Sequence, residues 1–251
     1  MSGHSKWAQI KRQKGVNDAK RGQIFTKFAR EITVAARQGG GEIETNFRLR
    51  LAVQRARQMN MPMENIQRAI TRATGAGGEG EIQLEEVSYE GYGPGGVAIL
   101  VEAVTDNRNR TVAEVRNVFT RHGGNLGENG SVAWLFEPRG VIAASLDGQD
   151  ADELTLAAID AGAIDVNQDG SMLEIYTELE MLEKVREVLE RAGAPIEAAE
   201  RTFVPKTTVS LDNQKATQVV RLIERLEDLD DVHNVSANLD LSPELVEQLA
   251  S

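Results

Sequence analysis

Residues 139–205 read RGVIAASLDGQDADELTLAAIDAGAIDVNQDGSMLEIYTELEMLEKVREVLERAGAPIEAAERTFVP, and this stretch decides the fold class. Two segments with apolar residues at helical spacing, 152–162 and 179–193, alternate with short segments that have the composition of strands. The order is strand, helix, strand, strand, helix, strand, which is a complete βαββαβ unit. We therefore predict a ferredoxin-like α+β domain at residues 138–205.

The segments on both sides of this unit predict a second α+β domain. Before the unit, the sequence predicts two strands, a helix and a strand, at 82–92, 96–105, 111–121 and 131–136 (SVAWLF). After the unit, TTVSLD, QKATQVVRLIERLEDL and DVHNVSANLD predict a further strand, helix and strand. Together these strands can build one discontinuous domain, residues 81–137 plus 206–251, into which residues 138–205 are inserted.

The first 80 residues predict a small helical bundle. Three helices are expected, from a cap at Asn17 or Asp18 to Gln38, from Thr45 to Asn60, and from Met63 to Thr74. In the first helix the apolar side chains fall on one arc, and the side chains that point away from it are Lys20, Lys27, Arg30 and Arg37. GAGGEGE at 75–81 is a linker by composition. We therefore predict a basic helical domain at 1–80, with a flexible N-terminal arm at 1–16.

The charge of the chain is divided unevenly between these parts. The formal net charge is -11, but residues 1–80 contain 15 Lys/Arg and 6 Asp/Glu, a net charge of +9. Residues 81–251 contain the remaining 13 Lys/Arg and 33 Asp/Glu, a net charge of -20. This division favours a basic module that binds a polyanion, attached to an acidic body. The alternative is a fortuitous distribution of surface charge.

Several classes of site and location are disfavoured by what the sequence lacks. There is no Cys, so disulfides, thiolate metal sites and Cys nucleophiles are excluded. The three His residues are far apart in sequence, and no zinc-binding spacing occurs. No apolar run reaches the roughly 20 residues of a membrane-spanning helix, and no secretory signal precedes the basic start. We expect a cytoplasmic protein with no metal and no membrane partner.

Enzymatic motifs are also missing or lie in the wrong context. Two matches to G-x-G-x-x-G begin at Gly75 and Gly91, but both are followed by predicted strands rather than by a helix. A dinucleotide site needs a helix N-terminus at that point. No G-x-S-x-G or S-x-x-K nucleophile motif is present. The sequence therefore predicts a protein that is not an enzyme, with no cofactor and no small-molecule substrate.

The candidate nucleic-acid-binding residues are concentrated in the arm and the first helix. Lys and Arg side chains there can neutralise phosphates, and Trp7 either stacks on an unpaired base or folds back on the bundle. In the body, DNRNR (106–110) lies between a strand and a helix, and its arginines either contact nucleic acid or serve the turn and cap. The predicted nucleic-acid-binding residues are Lys6, Trp7, Lys11, Arg12, Lys14, Lys20, Arg21, Lys27, Arg30, Arg108 and Arg110.

Four long motifs, in order, resemble those of one known family. They are GHSKWAQIKRQK…DAKRGQIFTKFAREITVAAR, YEGYGPGGVAILVEAVTDNRNRT, HGGNLGENGSVAWLF and RLEDLDDVHNVSANLD. The chain resembles the YebC/PmpR family, which also includes the mitochondrial translational activator of cytochrome c oxidase. The resemblance covers nearly the whole chain. It implies an N-terminal helical bundle followed by two ferredoxin-like α+β domains, one inserted in the other.

The resemblance also implies a function in gene expression. Bacterial members are described as cytoplasmic DNA-binding transcriptional regulators, and this chain resembles them because its first motif starts without a transit extension. Organellar relatives and some bacterial ones act on translation at the ribosome. We therefore expect a nucleic acid, DNA or ribosomal RNA, as the partner, with the ribosome as an alternative binding target. The net charge of -11 weakens attraction to bare duplex DNA and favours structured RNA.

Overall fold

The computed structural model describes residues 21–75 and 83–250, which form a mixed helix and sheet architecture. The helices in these residues are α1 (Arg21–Gly39), α2 (Phe47–Gln58), α3 (Met63–Ala73), α4 (Arg108–Arg121), α5 (Ala151–Ala161), α6 (Leu182–Arg191), α7 (Asn213–Glu227) and α8 (Pro243–Ala250). The strands are β1 (Glu85–Tyr92), β2 (Ala98–Thr105), β3 (Asn125–Leu126), β4 (Phe136–Ser145), β5 (Ala163–Asp169), β6 (Met172–Thr177), β7 (Ile196–Pro205), β8 (Val209–Ser210), β9 (Val232–Ala237) and β10 (Leu239–Asp240). The predicted fold class, helices first and then antiparallel α+β sheets, is confirmed.

The N-terminal bundle is formed by α1, α2 and α3 around a small apolar core. Its fully buried side chains include Ile32, Leu49 and Ile66, one from each helix. Asn46 caps α2, because its side-chain oxygen accepts a hydrogen bond from the Leu49 N–H at 3.1 Å. Its amide group donates to the Ala35 carbonyl at 2.8 Å and so fixes the end of α1 against the start of α2. The predicted caps of α1, at residues 17 and 18, lie outside the described residues.

The inserted domain has the sheet order β5-β6-β4-β7, and every neighbouring pair is antiparallel. Its chain order is β4-α5-β5-β6-α6-β7, so the strands lie across the sheet in the order second, third, first, fourth. This is the ferredoxin-like arrangement that the βαββαβ pattern predicts. Buried side chains of both helices, such as Leu154 and Leu189, pack with Ile142 and Ile175 of the central strands.

The middle domain consists of the chain segments on both sides of the inserted domain. Its sheet order is β3-β1-β2-β9, and every neighbouring pair is again antiparallel. Strands β3, β1, β2 and β9 occupy the same places in this sheet as β5, β6, β4 and β7 in the inserted domain. The chain order differs, because β1 precedes β2, whereas β6, in the corresponding place, follows β4. Helices α4 and α7 cover one face, where Phe119 and Leu222 pack on Ile99. On the opposite face Leu100 packs with Phe136. The first half of strand β2 is therefore buried on both sides, which explains the apolar run from Val97 to Val101 that precedes Glu102.

The sheet of the middle domain and the sheet of the inserted domain are connected at the start of β4 and at the end of β7, which are paired with each other. Phe136 in β4 is opposite Pro205 in β7, and the pairing continues along both strands into the inserted domain. Both chain crossings between the two sheets therefore lie side by side. The predicted boundaries at 137/138 and 205/206 fall in this paired region and stay a prediction.

One predicted strand is wrong in most of its length. Only Phe136 of SVAWLF lies in a strand, and Ala133–Leu135 form a short 3-10 turn before it. The cause is the buried carboxylate of Glu90, which accepts hydrogen bonds from the N–H groups of Gly130, Val132 and Ala133 at 2.6 to 2.7 Å. These N–H groups converge on one anion and so do not serve a strand ladder.

A glycine in β4 is required by the packing of the inserted domain. A Cβ atom at Gly140 would overlap the Thr177 hydroxyl and would lie 2.9 Å from the Leu182 Cβ atom. We therefore expect Gly140→Ala to lower the free energy of unfolding by about 1–3 kcal/mol through overpacking. The measurement is the urea midpoint of the purified protein. The control is Gly22→Ala on α1, where a Cβ atom meets nothing within 4 Å and the midpoint should be unchanged or slightly higher. Equal midpoints for both variants would contradict this reading.

Candidate nucleic-acid interface

The basic helix α1 is held to the middle domain through one buried carboxylate. Asp231 lies directly before β9, and its side chain is 2% exposed. It accepts hydrogen bonds from the Thr111 hydroxyl at 2.6 Å, the Arg110 guanidinium at 2.8 Å and the Thr105 hydroxyl at 3.1 Å. Arg30 of α1 adds an ion pair at 2.5 Å. One carboxylate thus joins α1, the end of β2, the start of α4 and the start of β9.

The donors around Asp231 decide its charge state. Burial by itself raises the pKa of this carboxyl, but the hydrogen bonds from Thr111 and Arg110 and the charge of Arg30 outweigh burial. The pKa of Asp231 therefore lies below its ordinary value. The same hydrogen bond raises the pKa of Arg110. The donors around Asp231 therefore favour its charged form.

More of the basic face of α1 lies against the same segment, residues 227–231, which we call the acidic turn. Gln23 donates to the Asp228 carbonyl and to the Asp230 carboxylate, both at 2.6 Å. Lys27 donates to the Glu227 carbonyl. Arg30 also donates to the Asp230 carbonyl at 3.0 Å. Gln23, Lys27 and Arg30 therefore attach the helix to the body.

The structure separates the predicted site residues into groups. Lys6, Trp7, Lys11, Arg12, Lys14 and Lys20 lie outside the described residues. Arg21 is exposed at the start of α1, while Lys27 and Arg30 contact the acidic turn. Arg108 is exposed and lies 3.7 Å from the Glu85 carboxylate. Nucleic-acid binding by any of these residues stays a prediction.

The DNRNR segment carries cap contacts in the folded protein. Asn107 caps α4 through its side-chain oxygen, which accepts from the Arg110 N–H at 3.1 Å. The helix consequently begins at Arg108, three residues before the predicted start at Thr111. Arg110 pairs with Asp106 at 2.7 Å as well as with Asp231. Of the two alternatives for this loop, the structure gives Arg110 a clear structural task.

A second set of charges joins the bundle to the inserted domain. Arg55 of α2 lies 3.1 Å from Glu31 of α1 and 3.6 Å from Glu200 of β7. His233 of β9 lies in the same field of charges, and burial lowers its pKa. Its Nδ1 atom is buried without a hydrogen-bond partner among the described residues. The helical bundle is thus fixed to both α+β domains.

A cavity of about 260 Å³ lies between α2 and the inserted domain. It is lined by Gln54, Arg55, Arg57, Gln58, Arg186, Glu190, Ile196 and Ala199. Two of its arginines already have carboxylate partners, since Arg55 pairs with Glu31 and Arg186 pairs with Glu183 at 2.7 Å. Arg57 is exposed and has no carboxylate partner in the described part of the chain. Among the arginines that line the cavity, only Arg57 is therefore without a carboxylate partner in the described residues.

Three residues of this region escaped the sequence reasoning. Asp231 and Glu90 are not among the residues predicted from the sequence, although both are buried and accept hydrogen bonds from several donors. Trp134 read as a strand residue, whereas it is 64% exposed, with its indole N–H donating to the Ser131 carbonyl at 3.1 Å. Asp231 and Glu90 lie within the quoted family motifs, and no local pattern marks either one as buried.

Two further classes of site were sought in residues 21–75 and 83–250. No group of three or more His, Cys, Asp or Glu side chains in these residues could hold a metal ion. No helix within the same residues combines the length and the apolar character that crossing a bilayer requires.

Two family models match the sequence. The model described as "TACO1/YebC protein N-terminal domain" matches residues 5–76. The model described as "TACO1/YebC second and third domain" matches residues 84–239. Together they account for most of the chain.

Full-length relatives and one solved structure agree with these matches. A protein of Roseiflexus castenholzii named "Probable transcriptional regulatory protein" is 56% identical over 254 residues and all of both chains. A relative of the same name from Chloroflexus aurantiacus is 57% identical over 98% of each chain. Another, from Syntrophus aciditrophicus, is 54% identical over all of both chains. The crystal structure of a conserved hypothetical protein from Aquifex aeolicus matches with a TM-score of 0.80 and 50% identity. That match covers 90% of this chain and 92% of the other.

Loss of the Asp231 charge should weaken the attachment of α1. We expect Asp231→Asn to lower the free energy of unfolding by about 2–4 kcal/mol, because a buried, multiply bonded charge pair is broken. Urea unfolding at pH 7 measures the change. Asp230→Asn, one residue earlier and exposed, is the control and should change the free energy by less than about 0.5 kcal/mol. Two variants of equal stability would show that the Asp231 cluster does not stabilise the fold.

The effect of Asp231 should depend on pH in one direction. Because the folded-state pKa is depressed, the carboxylate stabilises the protein above its unfolded-state pKa and loses this effect as the pH falls through the folded-state pKa. The stability difference between the wild type and Asp231→Asn should be constant from pH 7 to about 5 and should shrink below about pH 4. Urea titrations of both proteins at a series of pH values measure it. A difference that grows on acidification would contradict the assignment.

Proposed function

The chain belongs to the TACO1/YebC family, and on that premise we propose that it is a non-enzymatic, nucleic-acid-binding regulator of gene expression. The names of its relatives, "Probable transcriptional regulatory protein", support the regulatory part of this proposal. The proposed location is the cytoplasm, where both DNA and ribosomal RNA are accessible in a bacterial cell. The proposed contacts are made with phosphates by the N-terminal residues and the beginning of α1.

The division of charge carries the proposal. Residues 1–80 have a net charge of +9 in a chain with a net charge of -11. Within that basic part, Arg30 already pairs with the Asp231 carboxylate, while Lys27 donates to the main-chain carbonyl of Glu227. A cation that has an anionic partner gains less from a phosphate, because part of its charge is already compensated. The proposed phosphate contacts are Lys6, Lys11, Arg12, Lys14, Lys20 and Arg21, together with Lys27 and Arg30 at the inner edge of the interface.

Two targets fit this basic end, and they make different demands. Transcriptional regulation needs sequence readout on duplex DNA, which requires Arg, Asn or Gln side chains at base edges. A translation factor needs contact with folded ribosomal RNA, which is recognised by shape, phosphates and unpaired bases. The net charge of -20 on residues 81–251 favours the second target. A long duplex bound at the basic end would also lie near the acidic residues, which repel its phosphates. A folded RNA surface can contact the basic end alone.

Charge reversal in the arm tests the interface. We expect Lys11→Glu, Arg12→Glu and Lys14→Glu together to weaken binding to a DNA duplex and to an RNA hairpin, because three phosphate contacts are replaced by repulsion. The slope of log affinity against log salt should become shallower by about 2–3. Fluorescence anisotropy across a salt series measures both quantities. The matched control reverses three exposed cations of the body, Arg116, Lys184 and Arg191, and should leave both affinities within about twofold.

The same two variants decide between the targets. Sedimentation with ribosomes from lysate should show co-migration that the arm reversal abolishes and the body reversal preserves, if ribosomal RNA is bound. Tight, sequence-dependent DNA binding at physiological salt without ribosome association would establish the transcriptional alternative. If neither partner responds to the arm reversal, the basic end is a solvated surface and the proposed function fails.

A further inference from the structure

The inserted domain carries an uninterrupted acidic stretch. Residues 140–183 contain eleven Asp and Glu residues and no Lys or Arg. Five of these acids, Asp152, Glu153, Asp160, Asp165 and Asp169, lie on α5 and β5 and are exposed. A surface of one sign over this length repels nucleic acid and anionic lipid and attracts cations.

Large apolar side chains are exposed within the same acidic surface. Leu156 is 62% exposed, and Ile159 and Ile164 are each 51% exposed. Leu156 and Ile159 are three residues apart on α5 and therefore share a face of that helix. Ile164 follows just after the turn at Gly162, where the pairing of β5 with β6 is interrupted by a bulge. Three such side chains within nine residues mark an interaction surface better than they fit a solvated helix.

The strand beside them has one open edge. β5 is the end strand of its sheet, since it pairs with β6 on one side and with no strand of residues 21–75 or 83–250 on the other. Asp165 and Asp169 are exposed on this strand. Charged residues on an edge discourage pairing between like copies. They favour a partner segment that brings the opposite charge.

We propose that this acidic apolar face, formed by Leu156, Ile159 and Ile164 with their neighbouring acids, docks a protein segment in which Lys or Arg alternates with apolar residues. The apolar side chains of the segment would cover the three exposed ones, and its cations would pair with the rim of carboxylates. The apolar contacts supply affinity. The ion pairs select a basic partner and raise the rate of association. The proposal does not rest on the proposed function of the basic end.

The test uses the full chain and two labelled peptides. In the first peptide Lys alternates with Leu, and in the second Ser replaces Leu at the same charge. We expect the Lys-Leu peptide to bind at least about tenfold more tightly than the Lys-Ser peptide at physiological salt. Leu156→Gln, Ile159→Gln and Ile164→Gln together should remove that advantage. The control Met63→Gln changes an exposed apolar residue of the helical bundle and should preserve it.

Each other outcome overturns the proposal. Equal binding of both peptides to the wild type would mean that acidity alone attracts them. A concentration-dependent dimer in analytical ultracentrifugation that the triple Gln variant abolishes would assign the face to a second copy. If reversal of Lys11, Arg12 and Lys14 tightens peptide binding, the chain's own arm covers the face. Nucleic-acid affinity of the triple Gln variant should equal that of the wild type, so failure here is distinct from failure of the proposed function.

Discussion

The carboxylate of Asp231 is the contact on which the arrangement of the domains depends. A buried charge is tolerated only when donors replace its lost hydration, and here two hydroxyls and two guanidinium groups do so. One donor comes from α1, and the others come from the end of β2 and the start of α4, more than 70 residues later in the chain. The position of the basic helix is therefore set by its contacts with the middle domain. Any partner of the N-terminal residues meets α1 in a fixed orientation.

The acidic residues of this chain are used in two different ways. Asp231 and Glu90 are buried carboxylates that accept hydrogen bonds from several donors. Asp231 holds α1 to the middle domain, and Glu90 binds the backbone of residues 130–133. The acids of α5 and β5 are exposed, and no Lys or Arg occurs between residues 140 and 183. The formal net charge of -11 therefore understates how unevenly the surface potential is distributed. Residues 1–80 carry a net positive charge, while the opposite sign dominates the inserted domain.

Local periodicity was sufficient to predict most of the helices and strands. The βαββαβ unit followed from apolar spacing, and the bundle helices were placed within a few residues of their observed ends. The error at SVAWLF arose because Glu90, more than 40 residues earlier, binds the backbone of that segment. The docking of Arg30 on Asp231 spans about 200 residues and leaves no local pattern. Sequence reasoning therefore found the basic surface but could not tell which of its cations were already engaged.

The distance in sequence between Arg30 and Asp231 has a consequence for the biogenesis of the protein. The N-terminal bundle and the βαββαβ unit have cores built mostly from their own residues and are synthesised before β9, so each can fold while the chain is still growing. Strand β9 completes the middle sheet, and Asp231 precedes it by one residue. The basic helix thus receives its counter-charge only after residue 231 has been synthesised. A nascent chain that ends before residue 227 therefore exposes Lys27 and Arg30 without these later neighbours.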